Sequence, residues 1–293
     1  VFVEKSGGDS LIIGWTRRIS ISVAAIALLY AAGCAYMWAT QRDHIFKPEL
    51  LLQTTPDRLD MKFDELRIPV GSGADKGELQ AWWVPAAHSN APTFLYLHGN
   101  DRNLASRPDH MLHLHMLGYN VLVTDYRGYG NSTGGKPSEA KVYEDAEATW
   151  QYLIKVRGVK PGQAFIYGHS LGGAIAIDLA VHHPEAAGLI TESTFTSMEA
   201  MGELEYRYLP VGLLLNQRFD SLKKISGLKI PVLLIQGTWD KRVPARMAQQ
   251  LYDAAPQSKT LTLIKGGEHS NSATIGWIEY RDAVTDFVKK YAH

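Results

Sequence analysis

The stretch of the chain best suited to do chemistry is Gly168-His169-Ser170-Leu171-Gly172. It follows the apolar run Ala164–Tyr167 and opens the helix-length segment Leu171–His182. A Gly-x-Ser-x-Gly pentapeptide means little alone in a chain with 26 glycines. A buried strand in front and a helix behind give it the context of a nucleophile elbow. Such a turn strains the serine backbone, and side chains at Gly168 and Gly172 would collide with neighbouring elements, so these two glycines are expected to support the elbow. The Ser170 hydroxyl is then lifted clear of the strand at a helix N-terminus, where the dipole and free N–H groups favour developing negative charge. A serine alcohol becomes an acyl-transfer nucleophile when a base takes its proton and an acid holds that base in one tautomer. A tetrahedral intermediate also needs two aligned N–H donors. The backbone N–H of Leu171, next after the nucleophile, is the first. The base lies among eleven histidines, and Asp125, Asp220 and Asp240 compete for the acid.

The elements that must position these groups are short apolar or alternating runs: Lys62–Ile68, Leu79–Val84, Thr93–Leu97, Asn120–Thr124, Ala164–Tyr167, Gly188–Thr191, Val232–Gln236 and Thr260–Ile264. The later ones are nearly continuous apolar stretches, as in strands buried on both faces of a parallel sheet. Helices are expected over Glu139–Gly158, Leu171–His182, Pro244–Ala254 and Ala273–Tyr291. Ser138 stands at the start of the first, and Val142, Ala146, Trp150 and Leu153 share one of its faces. Strand–helix alternation implies crossover connections and a doubly wound α/β sheet. The first two strands lack an intervening helix, which makes the leading edge antiparallel.

Leu97-His98-Gly99-Asn100, Asp125-Tyr126-Arg127-Gly128-Tyr129-Gly130, the elbow, and Arg218-Phe219-Asp220-Ser221-Leu222 together resemble the α/β-hydrolase superfamily. The likeness is to its serine-esterase side, in particular a membrane-anchored, acyl-protein-thioesterase-like branch, and covers roughly residues 60–293. The resemblance implies a mostly parallel eight-stranded sheet with helices on both faces and the triad order serine, acid, histidine. It places the acid at Asp240, just past Val232–Gln236, and the base at His269 in Gly266-Gly267-Glu268-His269. Asp125 is read as structural, pairing with Arg127 or capping its loop, and Asp220 comes too early in the strand order. The resemblance also makes Asn100 the second oxyanion donor and His98 its orienting neighbour. A short lid is expected over residues 198–222, where Tyr206, Leu213 and Leu214 form an apolar rim for an acyl chain beside a bilayer. Ser170 at the elbow excludes an aspartate-nucleophile dehalogenase or epoxide hydrolase.

Ahead of this domain, residues 19–39 read ISISVAAIALLYAAGCAYMWA, without a formal charge. At 1.5 Å per residue they reach roughly 30 Å, the hydrocarbon thickness of a bilayer. Arg17 and Arg18 close one side, Arg42 and Asp43 the other, and Trp38 is placed as an interfacial anchor. The first reading is a retained span between a tail, 1–18, and a catalytic domain, 44–293. A cleaved signal peptide, cut near Ala31, Ala32 and Gly33, is the second. The third is a lipidated Cys34, since Tyr30-Ala31-Ala32-Gly33-Cys34 resembles a bacterial lipobox with Ala31 where Leu is usual. Lys5, Arg17 and Arg18 against Arg42 and Lys47 favour an inside tail and a catalytic domain on the non-cytoplasmic side.

The composition narrows the function classes. Thirty Lys plus Arg balance thirty Asp plus Glu, which argues against nucleic-acid binding. One cysteine excludes an intrachain disulfide framework and a cysteine-based zinc site. No cofactor or metal is implied. The expectation is a membrane-anchored serine hydrolase cleaving carboxylic esters or thioesters of acylated lipids or proteins through an acyl-Ser170 intermediate. A serine peptidase of the same fold and a non-catalytic binding scaffold are the alternatives. Oligomeric state is not legible.

Overall fold

The computed structural model describes residues 7–88, 90–106 and 108–293; the tail residues 1–6, including Lys5, lie outside the described residues. The chain begins with one long helix, α1 (Gly7–Ile45), which contains the expected span without a break. Its stretch Trp15–Ile45 is long and apolar enough to cross a membrane by length and composition. The helix runs past residue 39, and its last residue, Ile45, together with Phe46 joins the hydrophobic core. The boundary expected between span and domain is therefore a continuous helix that enters the domain.

From there the elements follow as β1 (Lys47–Pro48), β2 (Asp64–Val70), β3 (Gly77–Val84), β4 (Thr93–Leu97), β5 (Asp101–Arg102), α2 (Pro108–Met116) and β6 (Asn120–Thr124). Next come α3 (Glu139–Lys155), β7 (Ala164–His169), α4 (Leu171–His182), β8 (Gly188–Glu192), α5 (Met198–Glu205), α6 (Val211–Leu214) and α7 (Ser221–Ile225). The chain closes with β9 (Val232–Gly237), α8 (Ala245–Ala254), β10 (Lys259–Ile264), α9 (Ser272–Ile275) and α10 (Trp277–Tyr291).

Eight strands form one sheet in the order β10-β9-β8-β7-β4-β6-β3-β2. Five of its pairings are parallel, and β3 runs antiparallel to both neighbours. This is the α/β-hydrolase fold expected from the motifs. Its central strands are buried along their whole length, because helices cover both faces. One core packs α3, α4 and α8 on the sheet through residues such as Trp150, Ile175 and Leu251. The other lies under α2 and α10 through Met111, Leu114, Tyr280 and Val284.

Two helix expectations shift for local reasons. Ser138 caps α3 as read, accepting the Lys141 N–H, but the helix stops at Lys155 and Gly158 turns away at φ +70. The single helix expected over Ala273–Tyr291 is broken at Gly276, whose added Cβ would press on the Ile264 side chain at 2.5 Å. Apart from the main sheet, β1 lies parallel to β5 in a two-stranded sheet. It stitches the exit of α1 to the loop after β4, through Lys47 N–H to the Asn100 carbonyl at 2.9 Å and Glu49 N–H to Arg102 at 2.8 Å.

Candidate active site

β4, β6 and β7 are neighbours although β4 precedes β6 by a helix, so the loops after β4 and β7 open at the switch point of the sheet, where α/β folds bind ligands. β7 ends at His169, and Ser170 holds φ 55, ψ −119 before α4 begins. This strained backbone is fixed from both sides. The Ser170 N–H donates to the Glu192 carbonyl at 2.9 Å, and its own carbonyl accepts the Thr194 hydroxyl at 2.8 Å. A Cβ on Gly168 would fall on the Gly172 carbonyl oxygen, and one on Gly172 would fall on the carbonyl oxygens of Leu97 and His98. Only glycine permits that approach, as the motif required.

The loops after β9 and β10 bring an acid and a base to this hydroxyl. His269 Nε2 lies 3.0 Å from Ser170 Oγ, and its Nδ1 lies 2.9 Å from Asp240 Oδ2. Asp240 is clamped by Gln236 Nε2 on Oδ2 at 3.0 Å. The N–H groups of Arg242 and Val243 donate to Oδ1, each at 2.9 Å. Burial by itself would raise the Asp240 carboxyl, but the His269 imidazole, the Val243 N–H and Gln236 outweigh it and hold it below the ordinary carboxylate value. An ionised acid accepts from Nδ1–H and leaves Nε2 free to receive the serine proton.

The competing acids do other work. Asp125 is buried and accepts the Leu104 N–H at 2.6 Å, with His98 Nε2 at 3.0 Å from the same oxygen. The expected pairing with Arg127 does not occur, because Arg127 turns to Asp145, Nε to Oδ1 at 2.6 Å. Asp220 lies at the start of α7, 3.6 Å from Arg218 Nε.

The loop after β4 is held by hydrogen bonds to its carbonyl groups. Gly99 carbonyl is engaged by His98 Nδ1 at 2.8 Å. In a trans peptide the N–H of Asn100 then points the opposite way. The carbonyl of Asn100 is tied down by Tyr129 Oη at 2.8 Å, and its side chain is spent on the Ile45 carbonyl, also at 2.8 Å. Asn100 is thus left with its backbone N–H for a ligand. Leu171, the first residue of α4, has an N–H without an intrahelical acceptor. Both residues line the same cleft as Ser170 and His269.

That cleft has a volume of about 560 Å³. The expected lid resolves into α5, α6 and the start of α7. Tyr206 and Leu214 line the cleft, but Leu213 does not; its side chain is 87% exposed. A one-turn helix can aim only some of three consecutive leucines inward, and here Leu214 and Leu215 take that face. The other wall was not foreseen: Met37, Gln41, His44 and Ile45 of α1 face the cleft. The spacing of Met37, Gln41 and Ile45 was a readable signal, since it is one helical face. Also missed was His169, inside the elbow motif itself, whose Nε2 holds the carbonyl of His269 at 2.8 Å. Burial, with His110 alongside, pushes the His169 imidazole down to about 3, so it is neutral and donates through Nε2–H. Among the described residues no group of three or more His, Cys, Asp or Glu is placed to hold a metal ion.

Residues 89–223 match the family model described as "Serine aminopeptidase, S33". An uncharacterized protein of Mycobacterium tuberculosis is 32% identical over 94% of this chain and 97% of its own length. The lysophosphatidylserine lipase ABHD12 of Danio rerio is 35% identical over 66% of this chain, which spans 55% of that lipase. Among solved structures, an esterase of Pyrococcus furiosus superposes with TM-score 0.69 at 21% identity, over 85% of this chain and 99% of that one.

Proposed function

Because the chain belongs to the α/β-hydrolase superfamily, in its serine aminopeptidase S33-like family, we propose that it is a membrane-anchored serine hydrolase of carboxylic esters or thioesters with long acyl chains. The observation that carries this reading is the unbroken line Ser170–His269–Asp240 at 3.0 and 2.9 Å, opening on a cleft walled by apolar side chains. Ser170 Oγ attacks the acyl carbonyl while His269 Nε2 takes its proton, and the oxyanion rests on the N–H groups of Leu171 and Asn100. The imidazolium returns the proton to the leaving alcohol or thiol. Water, deprotonated by the same Nε2, then releases the acid and restores the serine. Asp240 keeps Nδ1 protonated throughout.

The cleft lining argues against the aminopeptidase named by the family description. An aminopeptidase has to neutralise a substrate ammonium, yet Lys47, Lys241 and Arg242 face the cleft against a single carboxylate outside the triad, Glu205. The lipase named among the relatives and the apolar rim of Tyr206, Leu209 and Leu214 point instead to an acylated amphiphile. α1, with its uncovered apolar surface, supplies the anchor in this reading.

Ser170→Ala is expected to lower turnover of p-nitrophenyl butyrate by about 10⁴-fold or more, as loss of a triad nucleophile does, and to abolish fluorophosphonate labelling. A panel of esters, thioesters and aminoacyl amides assayed with the parent chain separates the readings: amide cleavage outrunning ester cleavage would favour the peptidase.

A further inference from the structure

Anchoring helices are usually tethers, but here α1 is built into the cleft. Its residues alternate along a seam: Cys34, Met37, Gln41 and Ile45 are partly or wholly buried, while the residues between are mostly exposed. This spacing of three and four is one helical face. The seam is fastened to the lid at both ends. Tyr30 Oη donates to the Tyr208 carbonyl at 2.8 Å. Gln41 grips the other end, Nε2 to the Leu214 carbonyl at 3.1 Å and Oε1 from the Asn216 N–H at 2.8 Å. His44 stacks edge-on to Tyr206, and Ile45 takes the Asn100 side chain, so the helix ends against the loop that carries an oxyanion donor.

Distances along the helix decide what the seam does. Tyr30 to Ile45 is ~22 Å at 1.5 Å per residue. If residues 19–39 cross the bilayer, the part from Tyr30 to Ala39 covers ~14 Å, about one leaflet of a ~30 Å hydrocarbon core. The lid shows apolar or aromatic surface outward at both ends of the seam, with Tyr208 90% exposed beside Tyr30 and Leu213 87% exposed next to the Leu214 that Gln41 holds. With that placement, the α1–lid seam runs from leaflet depth up to the cleft holding Ser170.

We infer that Met37, Gln41 and Ile45 of α1 form a wall of the acyl-chain site, and that the chain of a membrane-resident ester reaches Ser170 along the α1–lid seam without crossing water. This rests on the hydrolase reading above and deepens it. Chain-length preference is then set by the anchor rather than by the catalytic domain alone. A methylene gained or lost in an apolar pocket changes discrimination by about tenfold or more, so the wall is accessible to measurement.

The test uses the full chain in phosphatidylcholine vesicles. A fluorophosphonate with a long alkyl chain and a terminal diazirine reacts at Ser170 and is then photolysed; crosslinks to the peptide spanning residues 37–45 are expected. In parallel, Met37→Trp should lower the ratio of kcat/KM for p-nitrophenyl palmitate over p-nitrophenyl butyrate at least tenfold. Ile26→Trp, on the exposed face of α1, should leave that ratio unmoved. Crosslinks confined to residues 198–222 and the sheet loops, or a Met37→Trp effect equal for both esters, would overturn the inference. Absence of Ser170 labelling and of all ester turnover in the parent chain would instead sink the hydrolase reading on which it stands.

Discussion

In the proposed reaction Asp240 works by staying charged. Its clamp of one imidazole, one amide and two backbone N–H groups keeps the carboxyl below the ordinary range, so any acidic limb of activity near neutrality belongs to another group. Asp240→Asn should keep the fold and lower kcat for p-nitrophenyl butyrate by about 10⁴-fold, because the amide favours the wrong tautomer of His269; single-turnover acylation rates check it. His169 makes a second residue-scale prediction, on stability. Its folded-state value of about 3 lies below the ordinary 6.5. Between these values the unfolded chain binds a proton that the folded chain does not. The stability it contributes is therefore complete above pH 6.5 and is lost as pH falls towards 3. Urea midpoints measured from pH 8 to 4 should fall, and His169→Gln, which keeps an N–H donor for the His269 carbonyl, should flatten part of that fall.

The elbow exists because β7, α4 and the β4 loop meet at van der Waals contact, with no volume for side chains at Gly168 or Gly172. Gly172→Val should yield chain that does not label with fluorophosphonate even when soluble, since the β4 loop is pushed off the oxyanion position. α3 contributes differently, by buried area as well as by the Asp145 pairing with Arg127. Trp150 is 1% exposed and stacks near His183, with ring centroids 4.8 Å apart. Trp150→Ala should cost about 3–5 kcal/mol, read from chemical denaturation, while residual folded protein keeps its kcat. Elements of this kind were legible in the sequence. The eight apolar or alternating runs fell on the eight sheet strands: the central strands, buried on both faces, leave a continuous apolar record, and the half-covered edge strands β2 and β10 an alternating one. The break at Gly276 was not legible, since it arises from the approach of Ile264, a residue on another element.

For the molecule as a whole, the long apolar helix and the hydrolase fold are one body. α1 passes unbroken from its uncovered apolar stretch into the core, and β1 ties its exit to the β4 loop. The full chain expressed in bacteria should stay in the membrane pellet after an alkaline carbonate wash, with Ser170 still labelled by fluorophosphonate. Release into the supernatant would count against a spanning α1.

Local chemistry wrote the elbow, the buried strands, the long apolar helix and the two glycines into the sequence, because each depends on residues adjacent along the chain. The match of acid and base to Asp240 and His269 came through the order of motifs in a known superfamily, and the fold then set His269 beside Ser170 across 99 residues and Asp240 beside His269 across 29. What only the tertiary structure decided is which side chains share a surface. Leu213 turned outward and Leu214 inward within a single turn. Arg127 chose Asp145 over Asp125, and Met37, Gln41 and Ile45 became part of the cleft. Those outcomes follow from packing between distant segments, where burial of one face commits its neighbours, and no local pattern records the partner.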